Sequence, residues 1–125
     1  MPHPRQTLGQ RGESFVVYRL QQAGHTILER NWRLGALGEI DIAARDSSGE
    51  IMFVEVRTRR GPAEHVIDEA LASIRAGKQA KLIRLAQAFL DQHDLVDVPW
   101  RIDVAAVGYE EGVFTLEMVH DAVEW

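Results

Sequence analysis

Two β-rich runs lie on either side of a turn in residues 38–60. Residues 47–49, Ser-Ser-Gly, suit a hairpin loop built on a type I turn, because glycine adopts positive φ without steric cost. If Asp46 faces Glu50 across this loop, the register is set along both strands. The pattern therefore predicts an antiparallel hairpin around which the rest of the chain is arranged.

This register places two acidic side chains opposite each other. Asp41 faces Glu55 and Glu39 faces Arg57, and alternation predicts that all four lie on one face. The other face is then a core surface, made of Ile40, Ile42, Ala44, Met52, Val54 and Val56. Opposed Cβ atoms are roughly 4.5–5.5 Å apart, so two carboxylates there repel each other. A shared proton, a bridging arginine such as Arg57, or a divalent cation would offset the repulsion.

Two interpretations of this acidic pair are open. Magnesium is usually held by one or two carboxylates with water and substrate phosphates, so a metal-dependent phosphodiester site is one of them. The other is an exposed hairpin end whose acids pair with Arg45, Arg57 and Arg59.

Glu13 bears on the same choice. It falls within the apolar stripe of the first predicted helix, residues 8–23, where a carboxylate needs a partner. Taken alone, Glu13 is an early-turn acid favoured by the helix dipole and reaching Arg11 or solvent. Beside an acidic pair, it is equally well interpreted as part of a metal site.

Composition predicts a single globular domain over residues 1–125, because a chain with 46% hydrophobic and 26% charged residues can bury one core. Residues 1–6 are expected to be disordered. The absence of cysteine excludes disulfides and thiolate catalysis. No apolar run approaches the length of a membrane span, and no hydrophobic signal region follows the start. We therefore expect a cytoplasmic protein without membrane contact.

The net charge of −5 conceals an uneven distribution. Residues 1–90 carry 13 Lys and Arg against 10 Asp and Glu, whereas residues 91–125 carry one arginine against nine acids. A polyanion should therefore contact the part of the chain that contains the hairpin. The predicted nucleic-acid contacts are Arg33, Arg59, Arg60, Lys78 and Lys81.

Periodicity predicts the remaining elements. Residues 25–34 suit a strand, the segment after Gly61 is weakly helical, residues 73–92 suit a long helix, and residues 100–107 and 113–119 suit two strands. The face occupied by Asp103 stays open. This element order predicts an α/β domain with a mixed central sheet flanked by helices.

Six segments together resemble a known family. They are Gly12-Glu13, Arg-Asn-Trp-Arg at 30–33, Gly-Glu-Ile-Asp-Ile at 38–42, Phe-Val-Glu-Val-Arg-Thr-Arg at 53–59, Lys-Gln-Ala-Lys at 78–81, and Trp-Arg-Ile-Asp-Val at 100–104. An acid in the first helix, Asp41 on the second strand and Glu55 on the third resemble the restriction-endonuclease-like superfamily. Within it, the chain resembles the YraN family of small bacterial proteins.

The resemblance implies roles for particular residues. Asp41 and Glu55 would hold magnesium or manganese, with Glu13 completing the acidic cluster and the Val56 carbonyl as a further ligand. Gln79 would orient water or a phosphate from the facing helix.

Arg57 departs from the superfamily motif, which ends in lysine. Arginine stays charged, so Arg57 cannot activate water as a base. It is instead expected to clamp a phosphate or to stabilise the transition state. Water activation would then fall to the metal.

The resemblance also implies an activity, that of a metal-dependent endonuclease acting on DNA, with branched or damaged DNA as candidate substrates. An alternative is a non-catalytic module on a nuclease-like fold, binding nucleic acid or a protein partner. A third hypothesis is a structural ion site in an interaction protein. The sequence does not determine the oligomeric state.

Overall fold

The computed structural model describes residues 5–124, so the disorder expected for residues 1–4 lies outside the described residues. The elements are helix α1 (Leu8–Gln22), strand β1 (Thr26–Leu34), a 3-10 turn (Gly35–Leu37), strands β2 (Gly38–Arg45) and β3 (Ile51–Arg60), helices α2 (Ala63–Ala72) and α3 (Ala76–Gln92), and strands β4 (Trp100–Glu110) and β5 (Val113–Val119). Each predicted helix and strand is present. Within residues 5–124, none of the helices has the length and hydrophobicity needed to cross a bilayer.

The five strands form one sheet in the order β1-β2-β3-β4-β5. Neighbouring strands run antiparallel except β3 and β4, which are parallel. A parallel pair needs a long crossover connection, and α2 and α3 supply it. The predicted mixed sheet flanked by helices is confirmed.

Both faces of the central hairpin are buried. Ile42, Met52 and Val54 pack under α1, as the predicted core face requires. The face predicted to carry Glu39, Asp41, Glu55 and Arg57 is also buried along much of its length. Ala43 and Phe53 lie on that face and pack against α3. Strands at the centre of a sheet with helices on both sides read as continuous apolar runs, so alternation does not reveal a solvent face.

Helix α1 docks tightly on β3 through a glycine. The helix begins with the predicted capping box, in which Thr7 and Gln10 satisfy each other's backbone N–H groups. Gly12 is buried, and a Cβ atom built there would lie 2.1 Å from the Thr58 hydroxyl oxygen and 2.7 Å from its Cγ2. Only glycine permits this approach, which sets the distance between α1 and the ends of β2 and β3.

Gly12→Ala should therefore destabilise the protein, by about 1–3 kcal/mol, because the added methyl group overlaps the Thr58 side chain. Gly9→Ala is the matched control, since the atom nearest to a Cβ there is 3.9 Å away. In a helix, that control should be neutral or stabilising by up to about 1 kcal/mol. Urea denaturation measures both, and equal effects of the two substitutions would contradict the close approach.

A buried carboxylate joins the far end of the hairpin to the C-terminal strands. Asp103 is fully buried, and its oxygens accept from Arg101 Nε at 3.1 Å and from the Asp121 N–H at 2.8 Å, and contact His120 Nδ1 at 2.9 Å. Arg101 also pairs with Asp46 at 2.8 Å and with Glu50. This network answers the open question of Asp103 and pins the hairpin loop to β4.

The same network accounts for the ionisation of Asp46. Burial acts to raise the pKa of Asp46, but hydrogen bonds from Ser48 and Arg101 outweigh it and hold the pKa well below its usual range. Asp46 is therefore ionised at neutral pH, and its pairing with Arg101 fastens the turn.

Candidate functional site

An open polar cleft of about 460 Å³ lies where the start of α1 meets the ends of β2 and β3. Its walls are the first turns of α1, residues 56–59 of β3, and the side chains of Asn31, Glu39 and Asp41. Glu13 projects into it from α1. The cleft thus brings together two of the three acids expected in a metal site.

The hairpin strands separate at the cleft. Strands β2 and β3 pair from Arg45 with Ile51 to Ile42 with Val54, so the register predicted from the turn is confirmed over this length. The strand pairing ends one residue before Asp41. There the Val56 N–H donates to Asp41 Oδ2 at 2.9 Å instead of to a strand carbonyl. The Asp41 carboxylate therefore lies in the fork between the two strands.

Side-chain alternation breaks at the fork. Ile42 packs under α1 but Ile40 packs under α3, although two residues apart on a regular strand share a face. On the neighbouring strand Asn31 has φ 50°, a left-handed conformation that asparagine tolerates better than most residues. The prediction that Glu39, Asp41, Glu55 and Arg57 all share one face is therefore wrong for Glu39, whereas Glu55 lies close enough to Asp41 for its charge to raise the pKa of Asp41.

The partner of Glu55 is a lysine from another element. Lys78, in the first turn of α3, places Nζ 2.8 Å from Glu55 Oε1, and the Glu55 side chain is only 18% exposed. Arg57 and Arg59 instead contact Glu69 of α2, at 3.4 and 3.0 Å. The interpretation in which arginines of the hairpin neutralise the acidic pair is therefore wrong for Glu55.

The Asp41 carboxyl has a perturbed ionisation. Burial raises the pKa of Asp41 to about 7, the nearby Glu55 charge adds to the rise, and the Val56 N–H opposes it. Glu13 and Glu39 raise the pKa further. The neighbouring carboxylates that raise this pKa also make the site favourable for a cation, which would stabilise the ionised form of Asp41.

This raised pKa predicts a pH-dependent effect of Asp41→Asn on stability. The folded protein binds more protons at Asp41 than the unfolded chain between pH 3.8 and about 7, so the contribution of Asp41 to stability falls as pH rises through that window. Asparagine keeps an acceptor for Val56 without the charge. The substitution should stabilise the protein by on the order of 2 kcal/mol at pH 8 and by little at pH 4.

Thermal unfolding from pH 4 to pH 8 tests this expectation. Asp68→Asn is the control, because Asp68 is an exposed acid on α2. Destabilisation by Asp41→Asn at pH 8 would show that the ionised carboxylate is favourable where it lies.

Glu13 is held at the edge of the cleft by β1. Asn31 Nδ2 donates to Glu13 Oε1 at 2.9 Å, and Arg30 pairs with it at 3.5 Å. Burial raises the pKa of Glu13, and Arg30 opposes the rise. Its partners are thus Arg30 and Asn31, and the predicted alternative of Arg11 or solvent is wrong. The sequence indicated Asn31 only as part of the family segment.

Arg57 and Gln79 take different positions. The Arg57 guanidinium lines the cleft, but its buried Nε has no acceptor in the part of the chain that the structure describes. The Gln79 amide nitrogen donates to the Ile74 carbonyl at 3.1 Å, so it holds the start of α3 against the end of α2. The structure therefore aims Arg57, but not the Gln79 amide nitrogen, at the cleft.

Three of the five residues predicted to contact nucleic acid are paired with acids. Arg33 contacts Glu39 at 3.2 Å, and Arg59 and Lys78 are held as described above. Lys81 runs alongside Gly38. Arg60 lies over the Tyr109 ring, 5.8 Å from its centroid. Sequence reasoning missed the Lys78–Glu55 pair, because only the packing of α3 brings these two residues together.

The donors in the cleft can be compared with the needs of a metal. Within residues 5–124, no group of three or more His, Asp or Glu side chains is arranged to hold an ion, so Glu13 does not form a ligand set with the others here. Asp41 and Glu55 remain as two hard oxygen donors at the fork. Two carboxylates completed by water and phosphate oxygens match what magnesium requires, so this donor set fits such an ion.

The fold and the cleft define the class of this protein: a small α/β protein whose mixed sheet forks around a buried carboxyl. The chain belongs to the uncharacterised protein family UPF0102, whose model matches residues 12–107. The resemblance to the YraN family is thereby confirmed.

Relatives from this family match most or nearly all of the chain. A UPF0102 protein of Roseiflexus castenholzii is 46% identical over 123 residues, covering 96% of this chain and 95% of that protein. A UPF0102 protein of Chloroflexus aurantiacus is 44% identical over 108 residues, covering 86% of this chain and 83% of that protein.

Solved structures with partial similarity are much longer. A repair endonuclease from Pyrococcus abyssi has a TM-score of 0.47 at 11% identity, covering 90% of this chain and 42% of that one. EndoMS in a complex with double-stranded DNA has a TM-score of 0.37 at 16% identity, covering 81% and 46%. This chain spans less than half of either.

Proposed function

We propose that this protein is a metal-dependent endonuclease that acts on DNA. The observation that carries the proposal is the Asp41 carboxyl in the strand fork, buried beside Glu55 with its pKa raised to about 7. A divalent cation shared by the two carboxylates would remove their repulsion and keep both ionised.

Asp41 and Glu55 would hold magnesium or manganese, with the Val56 carbonyl as a further donor from the same fork. Glu13 would add negative charge across the cleft. When bound, the ion supplies a water molecule of lowered pKa, which is needed because Arg57 cannot act as a base.

Arg57 is suited to binding the phosphate. Its guanidinium stays charged and lines the cleft, where one of its terminal nitrogens contacts Glu69 at 3.4 Å. Arg57 would bind a phosphate oxygen and stabilise the negative charge that develops on it during hydrolysis. Lys78 would hold Glu55 in one orientation from α3.

The proposed substrate is DNA, with branched or damaged forms as the candidates that the superfamily resemblance implies. The cleft is open, and the cations of β3 lie at its rim. A duplex, a flap, a junction and a single strand are therefore the substrates to compare.

A nuclease assay with these four substrates, in magnesium and in manganese, tests the proposal. We expect cleavage of at least one substrate with either metal and none in chelator. A second readout is independent of turnover: manganese should raise the melting temperature of the wild type but not that of Asp41→Asn. Absence of both effects would overturn the proposal.

A second candidate function is a non-catalytic module that binds nucleic acid or a protein partner. The Lys78–Glu55 ion pair favours it, because Lys78 already neutralises one carboxylate of the proposed metal pair. Binding of DNA without cleavage, unaffected by manganese, would support this alternative.

A further inference from the structure

Three arginines and three aromatic rings form one row on the side of the sheet covered by α1. We call this set the arginine–aromatic ladder; in spatial order it consists of Arg19, Phe15, Phe114, Arg11, Tyr109 and Arg60. Helix α1 contributes three members, β3 one, and β4 and β5 one each. The ladder exists only in the tertiary structure, since its members are scattered from residue 11 to residue 114.

Successive members are in contact. The Arg11 guanidinium lies over two rings, 5.0 Å from the centroid of Tyr109 and 5.3 Å from that of Phe114. Arg60 lies over the same Tyr109 ring at 5.8 Å. Phe114 stacks on Phe15 at 5.3 Å, and Arg19 continues the series 5.7 Å from the Phe15 centroid.

The arginines of the ladder differ from Arg33 and Arg59 in lacking acidic partners. Within residues 5–124, Arg11, Arg19 and Arg60 form no ion pair, whereas Arg33 and Arg59 are each held by a glutamate. All three ladder arginines are exposed. Their charge is therefore free for an external anion, and most of the predicted contacts outside the ladder are already neutralised.

The rings hold these arginines in place without consuming their hydrogen-bond donors. A guanidinium over an aromatic face is attracted by the ring, and its N–H groups still point outward in its own plane. Less side-chain freedom is then lost when the guanidinium binds a phosphate bidentately. The ladder is in this sense a preorganised row of phosphate donors.

The ladder shares two elements with the proposed active site. Arg11 lies in α1 between Gln10 and Glu13, which line the acidic cleft, and Arg60 follows Arg59 of the same cleft. The ladder and the cleft are therefore both built on α1 and on the end of β3.

We propose that the arginine–aromatic ladder binds the phosphodiester backbone of the substrate beyond the cleavage position. The proposal rests on the proposed function for the identity of the substrate, but not on its being cut. In this proposal the principal contacts with the DNA backbone are Arg11 and Arg60, and not Lys78, Arg33 and Arg59. Of the two, only Arg60 was expected from the sequence.

Fluorescence anisotropy with labelled single-stranded and duplex DNA, in EDTA so that no cleavage occurs, tests the ladder. The test variant is Arg11→Gln with Arg60→Gln. Loss of two phosphate contacts should lower the slope of log affinity against log salt by about two units. At 0.1 M salt the affinity should fall by roughly tenfold per lost contact. The DNA form with the larger change identifies the backbone geometry that the ladder fits.

Arg45→Gln with Arg84→Gln is the matched control, since both residues are exposed and the change in net charge is the same. It should change the salt slope by much less. Tyr109→Leu keeps every charge but removes the ring shared by Arg11 and Arg60. It should weaken binding a few-fold with an almost unchanged salt slope, and unfolding curves must show that each variant is folded.

Equal effects of the two double variants would overturn the proposal. So would competition by polyglutamate as effective as that by DNA of equal charge, because the surface would then suit an acidic peptide. The proposed function fails separately: a wild type that never cuts DNA, yet loses binding in the ladder variant, would leave the ladder standing and remove the nuclease. Conversely, if the protein cuts DNA and the ladder variant binds DNA as tightly as the wild type does, the ladder proposal fails and the proposed nuclease function stands.

Discussion

Gly108→Ala is expected to destabilise the folded protein by about 3 kcal/mol or more, enough to unfold a large fraction of a marginally stable domain. Gly108 lies in β4 beneath the chain that leaves β3. A Cβ atom there would lie 2.2 Å from the Gly61 carbonyl oxygen, 2.4 Å from the Ala63 nitrogen and 2.6 Å from the Pro62 carbonyl carbon.

These neighbours are backbone atoms, so no side-chain rotation can relieve the overlap. Residues 61–63, which cross over Gly108, are also held in place by hydrogen bonds at both ends. The Gly61 N–H donates to the Tyr109 carbonyl at 3.0 Å, and the Ala63 N–H donates to Thr115 Oγ1 at 3.0 Å. Moving this chain would displace the start of α2.

Gly77→Ala is the matched control, because no atom lies within 4 Å of a Cβ at that position in α3. Alanine in a helix should stabilise by up to about 1 kcal/mol there. Urea denaturation followed by far-UV circular dichroism measures both substitutions. Gly108→Ala with wild-type stability would show that β4 and the crossing chain are not in this contact.

Asp41→Asn is expected to reduce cleavage by at least about a hundredfold while leaving DNA binding intact or stronger. If two carboxylates hold the catalytic ion, removing one should abolish catalysis, and losing a negative charge beside the phosphates relieves repulsion. The same substitution should raise stability at pH 8. Opposite effects on activity and stability would indicate a strained functional carboxyl.

Single-turnover cleavage and equilibrium binding should be measured on the same preparations. Asp68→Asn is again the control and should retain full activity. Cleavage that survives in Asp41→Asn would remove Asp41 from the active site, whereas loss of both cleavage and binding would contradict a purely catalytic role.

Arg57→Lys separates two proposed roles of Arg57, which stands where the nuclease motif that this chain resembles has lysine. A phosphate clamp predicts a modest loss of activity, because lysine lacks the bidentate geometry of arginine. A site that has lost its base predicts a gain of activity from the same substitution. The kcat and KM values measured with manganese distinguish the two.

The local sequence determined the elements of this fold. The capping box of α1, the Ser-Ser-Gly loop and the apolar periodicities act over a few residues, so their outcome does not depend on distant packing. The hairpin register followed from the turn alone. The single-domain expectation and the cytoplasmic location stay predictions.

The distribution of the charged side chains depends on contacts between elements that are distant in sequence. Burial of both sheet faces, the break in alternation at Asp41 and Asn31, and the arrival of Lys78 at Glu55 each depend on elements far apart in sequence. The sequence could identify Asp41, Glu55 and Glu13 as candidate site residues, because acidic residues are unusual in apolar surroundings. It could not show which cations neutralise them or which remain free, because ion pairing depends on distances that only helix packing sets.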